Sequence, residues 1–212
     1  MSTTTAPTTR SSQLLTAVRI AVLLLLATAL STLTGCGLTS SGAASGTASA
    51  AGAGYRVVTT STVPTGQALP APTGPVVLTV SGHLGSGVTR PVRLDLAGLE
   101  KLGLVEYSAM DKQAEGRRAT FRGVLLSRLL AAVGADRATR LHTVAVNDFA
   151  VDIPVSDTAA FPVLLATTVD GKRMPVDHYG PVRVIYPTDG ATLDPAVYDP
   201  RWIWQLTSIV VE

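Results

Sequence analysis

An α+β domain, with a mixed, strand-rich sheet and a few short helices, is the fold class this sequence predicts. Three observations lead there. Short runs that alternate apolar and polar residues recur from Val76 to Glu212. Helical spacing of apolar residues is confined to two short stretches, one around Leu96–Leu102 and one from Leu125 to Val133. No strand–helix–strand alternation runs through the chain, so the sheet is not the parallel one of a doubly wound fold.

The first third of the chain carries no such pattern. Arg10 and Arg19 give Met1 to Ser31 a positive start, and Ile20 to Leu30 is an apolar run. Eleven residues are too few to cross a hydrocarbon core of about 30 Å, which takes about 20, so the run reads as a targeting segment. Leu33-Thr34-Gly35-Cys36 then resembles a bacterial lipobox, with small residues before a thiol that receives the lipid. An ordinary signal peptide with a stray Cys is the alternative. Residues 1–35 are therefore expected to be a lipoprotein signal peptide and Cys36 the lipidated N-terminus. This puts the protein on the extracytoplasmic face of the cell membrane, held by its acyl chains.

Cleavage there removes two of the 17 Lys and Arg and none of the 15 acidic residues. The mature chain is formally neutral, which excludes the basic footprint of a nucleic-acid binder. Cys36 is the sole cysteine, so no disulfide forms within the chain. Gly37 to Gly54 is almost wholly Gly, Ala, Ser and Thr, and several prolines follow up to Pro75. Residues 36–74 are expected to be a flexible tether and residues 75–212 the folded domain.

Within the domain, Val76 to Val80 and Val92 to Leu96 alternate as strands. Asp95 can cap a short helix over Leu96, Leu99 and Leu102, with Gly103 ending it. Val105 to Met110 and Arg117 to Phe121 read as strands. The stripe Leu125, Leu126, Leu129, Leu130 and Val133 is a core-facing helix stopped by Gly134. Leu141 to Val146, a turn at Asn147-Asp148, and Phe149 to Ile153 follow. Val163 to Val169, Asp170-Gly171 and Lys172 onward form a hairpin. Val182 to Tyr186 is a strand, residues 188–201 a polar loop, and Trp202 to Glu212 a last strand that carries Trp202 and Trp204 on one face.

The candidate chemistry sits near the C-terminus. Arg183 lies mid-strand, and His178 precedes it by five positions across a Gly-Pro corner. A buried Arg needs a partner, and an Arg with a His matches an anion such as phosphate. The alternative is an edge strand with a solvated Arg and an incidental His.

Four stretches in order resemble one family. DHYGPVRVIYP, at Asp177–Pro187, is similar to the DHGxPVRVVVP segment of the sulfite oxidase type molybdopterin-binding domain, and WIWQLTSIVVE resembles its last strand. FRGVLLSRLLAAVGA resembles its Gly-Val helix, and VNDFAVDIPVSDTAAFPVLLATTVDGKRMP its central segment. The match runs over about Val76 to Glu212. It implies the sulfite-oxidase-like fold, a molybdopterin cofactor, and His178 and Arg183 as binders of the cofactor's phosphate.

It also exposes a departure. The family's molybdenum is held by a Cys thiolate, expected near Tyr107 to Lys112, and none is there. Ser108 and Asp111 offer only hard oxygen. The Lys near the last strand is replaced by Trp204, with Arg201 as the nearest substitute cation. Two functions follow from the resemblance. One is an exported lipoprotein that binds the pterin within a redox system, an oxidoreductase lacking its thiolate ligand. The other is a non-catalytic ligand-binding or protein-interaction module. The partners implied are the membrane and a redox or signalling protein.

Other motifs are weaker. Asp189, Asp194 and Asp199 share a loop without the spacing of a calcium site. His83 and His142 lack a metal-ligand cluster. Ser127 stands outside a G-x-S-x-G elbow, so no hydrolase is implied.

Overall fold

The structure is a computed structural model and describes residues 54–64, 67–112, 114–135 and 137–212. The expected signal peptide, Cys36 and the expected tether up to residue 53 lie outside the described residues.

The first described residues move the expected domain boundary. Strand β1 (Arg56–Val57) pairs antiparallel with Val105 and Glu106, and the Val58 and Thr59 N–H groups donate to the Leu104 carbonyl at 2.8 and 3.1 Å. Tyr55, Val57, Val63 and Leu69 pack against the core. Further on, the Thr73 and Gly74 N–H groups both donate to Asp95 Oδ2 at 2.8 Å. Residues 55–64 and 67–74, in the stretch read as tether from its prolines, thus lie along the domain. Apolar valines have an edge to cover there, and Arg56 finds Glu106 as an ion-pair partner.

In β2 (Leu78–Gly82) and β3 (Val92–Leu94) the pleat buries Leu78, Val80, Val92 and Leu94. Asp95 then caps α1 (Leu96–Glu100) as expected, accepting from Gly98 N–H at 2.7 Å. The N–H groups of Gly98, Gly74 and Thr73 together hold its carboxyl down at about 2. A hairpin follows, β4 (Val105–Asp111) and β5 (Arg117–Leu125), paired from Val105↔Gly123 to Asp111↔Arg117. Gly123 is required by close approach: a Cβ there would lie 2.0 Å from the Leu165 carbonyl oxygen.

Helix α2 (Leu126–Ala132) buries Leu126, Leu129 and Leu130, and Gly134 ends it at φ 65°. β6 (Arg140–Ala145) and β7 (Ala150–Pro154) flank a turn in which Asp148 has φ 63°. The short helix α3 (Asp157–Ala160) has no counterpart in the sequence reading. β8 (Leu164–Val169) and β9 (Lys172–Arg173) are joined through Asp170 and Gly171 at φ 48° and 75°, the signature of a tight hairpin turn.

After a 3₁₀ turn at Val176–His178 come β10 (Arg183–Ile185), α4 (Pro195–Tyr198) and β11 (Leu206–Val211). Helix α4 interrupts the expected polar loop: Asp194 caps it, accepting from Ala196 N–H at 3.0 Å, and Pro195 opens it. The last strand is also shorter than expected. Gln205 takes φ 52° and separates Trp202 and Trp204 from β11, so the two tryptophans do not share a strand face.

The strands form two sheets. One is antiparallel throughout, in the order β1-β4-β5-β8-β10, with β9 attached to β8. The other runs β3-β2-β11-β6-β7, and its β11–β2 pair is parallel. This is the strand-rich, mixed architecture with few short helices that the sequence predicts.

Candidate functional site

Strand parity delivers a charge to the core. Val105, Tyr107 and Ala109 are the inward residues of β4, and the next inward position is Asp111. Arg183 enters from β10, whose three residues are all buried. The two side chains are 6% and 2% exposed, and they meet through Arg183 Nη2 to Asp111 Oδ1 at 3.0 Å and Nη1 to Oδ2 at 3.4 Å.

Aromatic rings enclose the cation. The guanidinium carbon lies 5.4 Å from the Phe121 ring centre and 5.3 Å from that of Tyr179, within cation–π range. Phe121 meets Trp202 edge-on at 6.4 Å, and Tyr179 meets Trp204 edge-on at 5.3 Å. Tyr107, the inward neighbour of Asp111 by two pleats, donates its hydroxyl to the Ile185 carbonyl at 2.9 Å. Burial pushes that phenol well above its ordinary range. The register places Ala166 opposite Arg183 and Gly123 opposite Ala166, so little side chain competes for space beside the Arg.

The alternative, a solvated Arg, does not hold, although β10 does lie at the end of its sheet. His178 is placed otherwise. It is 78% exposed at the end of the 3₁₀ turn and lies 3.7 Å from the Asp177 carboxylate. It is not among the partners described for Arg183. The next residue, Tyr179, adopts a left-handed backbone with φ 66°, and its ring, rather than the His imidazole, reaches Arg183. Sequence spacing could not separate two adjacent side chains at a corner; that needed the backbone.

Arg201, the candidate substitute cation, belongs to a second buried centre. It donates to Asp157 Oδ2 at 2.8 Å and stands over the Tyr198 ring at 5.0 Å. The same carboxylate oxygen accepts from the Tyr186 hydroxyl at 2.7 Å. Burial first, and then the Asp157 carboxylate, push the Tyr186 phenol up. Asp157 and Tyr186 were not legible as a pair, since 29 positions separate them.

The remaining candidates are engaged locally. Asp189 binds Arg118 through two bonds of 2.7 and 2.9 Å, Asp194 caps α4, and Asp199 pairs with Lys112. His142 lies 2.8 Å from Asp152 at the surface. Among the described residues no group of three His, Cys, Asp or Glu could hold a metal ion. Ser127 lines an open cleft of about 770 Å³ with Tyr55, Thr158 and Phe161, and none of the three histidines lines it.

The fold and this geometry meet the comparisons with known proteins. The model of the family described as Oxidoreductase molybdopterin binding domain matches residues 77–193, more than half of the chain. The chain belongs to that molybdopterin-binding oxidoreductase domain family. Among solved structures, the sulfane dehydrogenase SoxCD from Paracoccus pantotrophus is similar, with 17% identity and a TM-score of 0.48. That match covers 63% of this chain and 37% of the other, so the chain spans well under half of that relative's length. No curated protein matches the sequence.

The residues present do not fit the family's metal group. A molybdenum held by soft thiolate needs a Cys, and the sequence's one Cys, Cys36, lies outside the matched residues 77–193. The segment where the thiolate belongs supplies the Asp111 carboxylate instead, bound to Arg183. The Arg expected to meet a cofactor phosphate is thus already matched by a protein anion.

Proposed function

We propose that this chain is a non-catalytic member of its family: an exported, lipid-anchored module that binds a ligand or a protein at the extracytoplasmic membrane face. One observation carries the reading. The buried Asp111–Arg183 pair joins the place of the absent thiolate to the place of the phosphate contact. A bidentate carboxylate on a guanidinium leaves that cation's fork engaged, and breaking such a pair is costly in the interior. Export and anchoring are supported by the apolar run before Leu33-Thr34-Gly35-Cys36 and by the Gly, Ala, Ser and Thr stretch that follows. A redox or signalling protein at the membrane is the kind of partner this placement suits.

Two measurements test the reading. Protein made in a host that synthesises molybdopterin should contain neither molybdenum nor pterin by elemental and fluorescence analysis. Stoichiometric cofactor would instead establish the other reading, a pterin-binding component of a redox system with His178 or Arg183 at the cofactor. Separately, Cys36→Ser should release the protein from membranes or block its processing; normal cleavage with unchanged membrane retention would refute the anchor.

A further inference from the structure

We propose that Arg183, Phe121 and Tyr179 form a receptor for a small carboxylate, and that Asp111 is its resident ligand. The inference deepens the non-catalytic reading and rests on it, because a cofactor phosphate at Arg183 would compete for the same fork.

The receptor half is built without β4. Arg183 is fixed by its pairing with Ala166, and the neighbouring Val184 N–H donates to the Ile203 carbonyl at 2.8 Å. The two rings hold the guanidinium at 5.4 and 5.3 Å, and their contact does not involve the carboxylate. The anion, by contrast, comes from the last residue of β4, where the chain turns: Ala114 and Gly116 N–H both donate to the Asp111 carbonyl, at 3.1 and 3.0 Å. These two bonds use the Asp111 carbonyl and not its carboxylate. Truncating Asp111 therefore removes a planar anion from a site whose cation, walls and frame remain.

The shape of the vacancy names the ligand class. Guanidinium forks match planar carboxylates with two parallel bonds, and the two contacts at 3.0 and 3.4 Å have that form. Asp111→Ala removes a carboxylate group alone, the size of formate. Asp111→Gly removes one carbon more, the size of acetate. The half-buried Tyr179, one of the two rings on the cation, packs edge-on against the half-buried Trp204.

The experiment is chemical rescue, read by thermal unfolding with ionic strength held constant by sodium chloride. Asp111→Ala is expected to melt well below the unchanged protein. Formate should raise its Tm saturably, by about 5 °C or more at a hundredfold excess over Kd. Acetate should do the same for Asp111→Gly. Neither the unchanged protein nor Asp111→Ala combined with Arg183→Met should respond beyond chloride. Equal response in the double variant, equal response in the unchanged protein, or no rescue of either truncation overturns the proposal. A truncated chain that stays unfolded at every formate or acetate concentration, by near-ultraviolet circular dichroism, counts as no rescue. Metal and pterin analysis judges the non-catalytic reading independently: cofactor in the unchanged protein would refute that reading whatever formate does.

Discussion

Two buried Asp–Arg pairs serve this domain, and they are built differently. Asp111–Arg183 is almost wholly sealed, with side chains 6% and 2% exposed, and rings on either side of the cation. Asp157–Arg201 is partly open, with Arg201 17% exposed, and its carboxylate shares the load with the Tyr186 hydroxyl. The first pair depends on mutual neutralisation, because neither charge can turn to solvent. The second has water for the cation and a phenol for the anion. Access to water separates them.

The comparison predicts a graded series of losses. Arg183→Met should cost about 3–5 kcal/mol in urea unfolding, the usual result of stranding one member of a buried pair. Combining it with Asp111→Leu should recover most of that loss, since an apolar replacement of both partners is often neutral. A double variant as unstable as the single one would mean that Arg183 stabilises through its rings and not through Asp111. Arg201→Met should cost less, about 1.5–3 kcal/mol, the range of a hydrogen bond to a charged group. If the two single variants lose equal stability, exposure is not what separates the centres.

A third test uses alkali. The Tyr186 phenol is raised in the folded protein, so above pH about 10 the unfolded chain loses that proton first. The folded state then binds more protons than the unfolded one, and stability falls as pH rises from there. Tyr186→Phe should flatten part of this alkaline loss and, because the hydroxyl bonds the Asp157 carboxylate, lower neutral-pH stability by about 1.5–3 kcal/mol. An unchanged alkaline slope would assign the effect to Tyr107 beside the sealed pair. The smallest effect belongs to the surface. Arg118→Ala removes the exposed bonds to Asp189 and should leave the urea midpoint where it was.

Much of the fold was legible because it rests on local signals. Period-two alternation marked β2, β4 and β7, and the glycine after α2 and the Asp-Gly turn before β9 marked their ends. Asp95 was readable as a cap from its place before a leucine stripe. The errors share a cause. The tether reading averaged the prolines of residues 55–74 and missed that Val57 and Arg56 had an edge and a carboxylate waiting. Asp194-Pro195 announces helix α4, but the polar composition of residues 188–201 masks it. At the site, a mid-strand Arg183 signals the need for a partner, but Asp111 is 72 positions away. Continuing the alternation Val105, Tyr107, Ala109 by one step would have turned Asp111 inward. No sequence signal would have chosen Tyr179 over His178.

Strand β1 has a mechanical consequence. Tension arriving along the chain at residue 54 is borne first by a two-residue strand, paired at Arg56↔Glu106 and Val57↔Val105. So short a contact peels before a long one shears. Past it the pull meets the Val58 and Thr59 amides on Leu104 and the Thr62 amide on Lys101, then the clasp of the Thr73 and Gly74 amides on Asp95, beyond which β2 is gripped on both sides by β3 and β11. Residues 55–64 and 67–74 would thus release stepwise while the sheets stay closed, like a fuse that yields ahead of the circuit it guards.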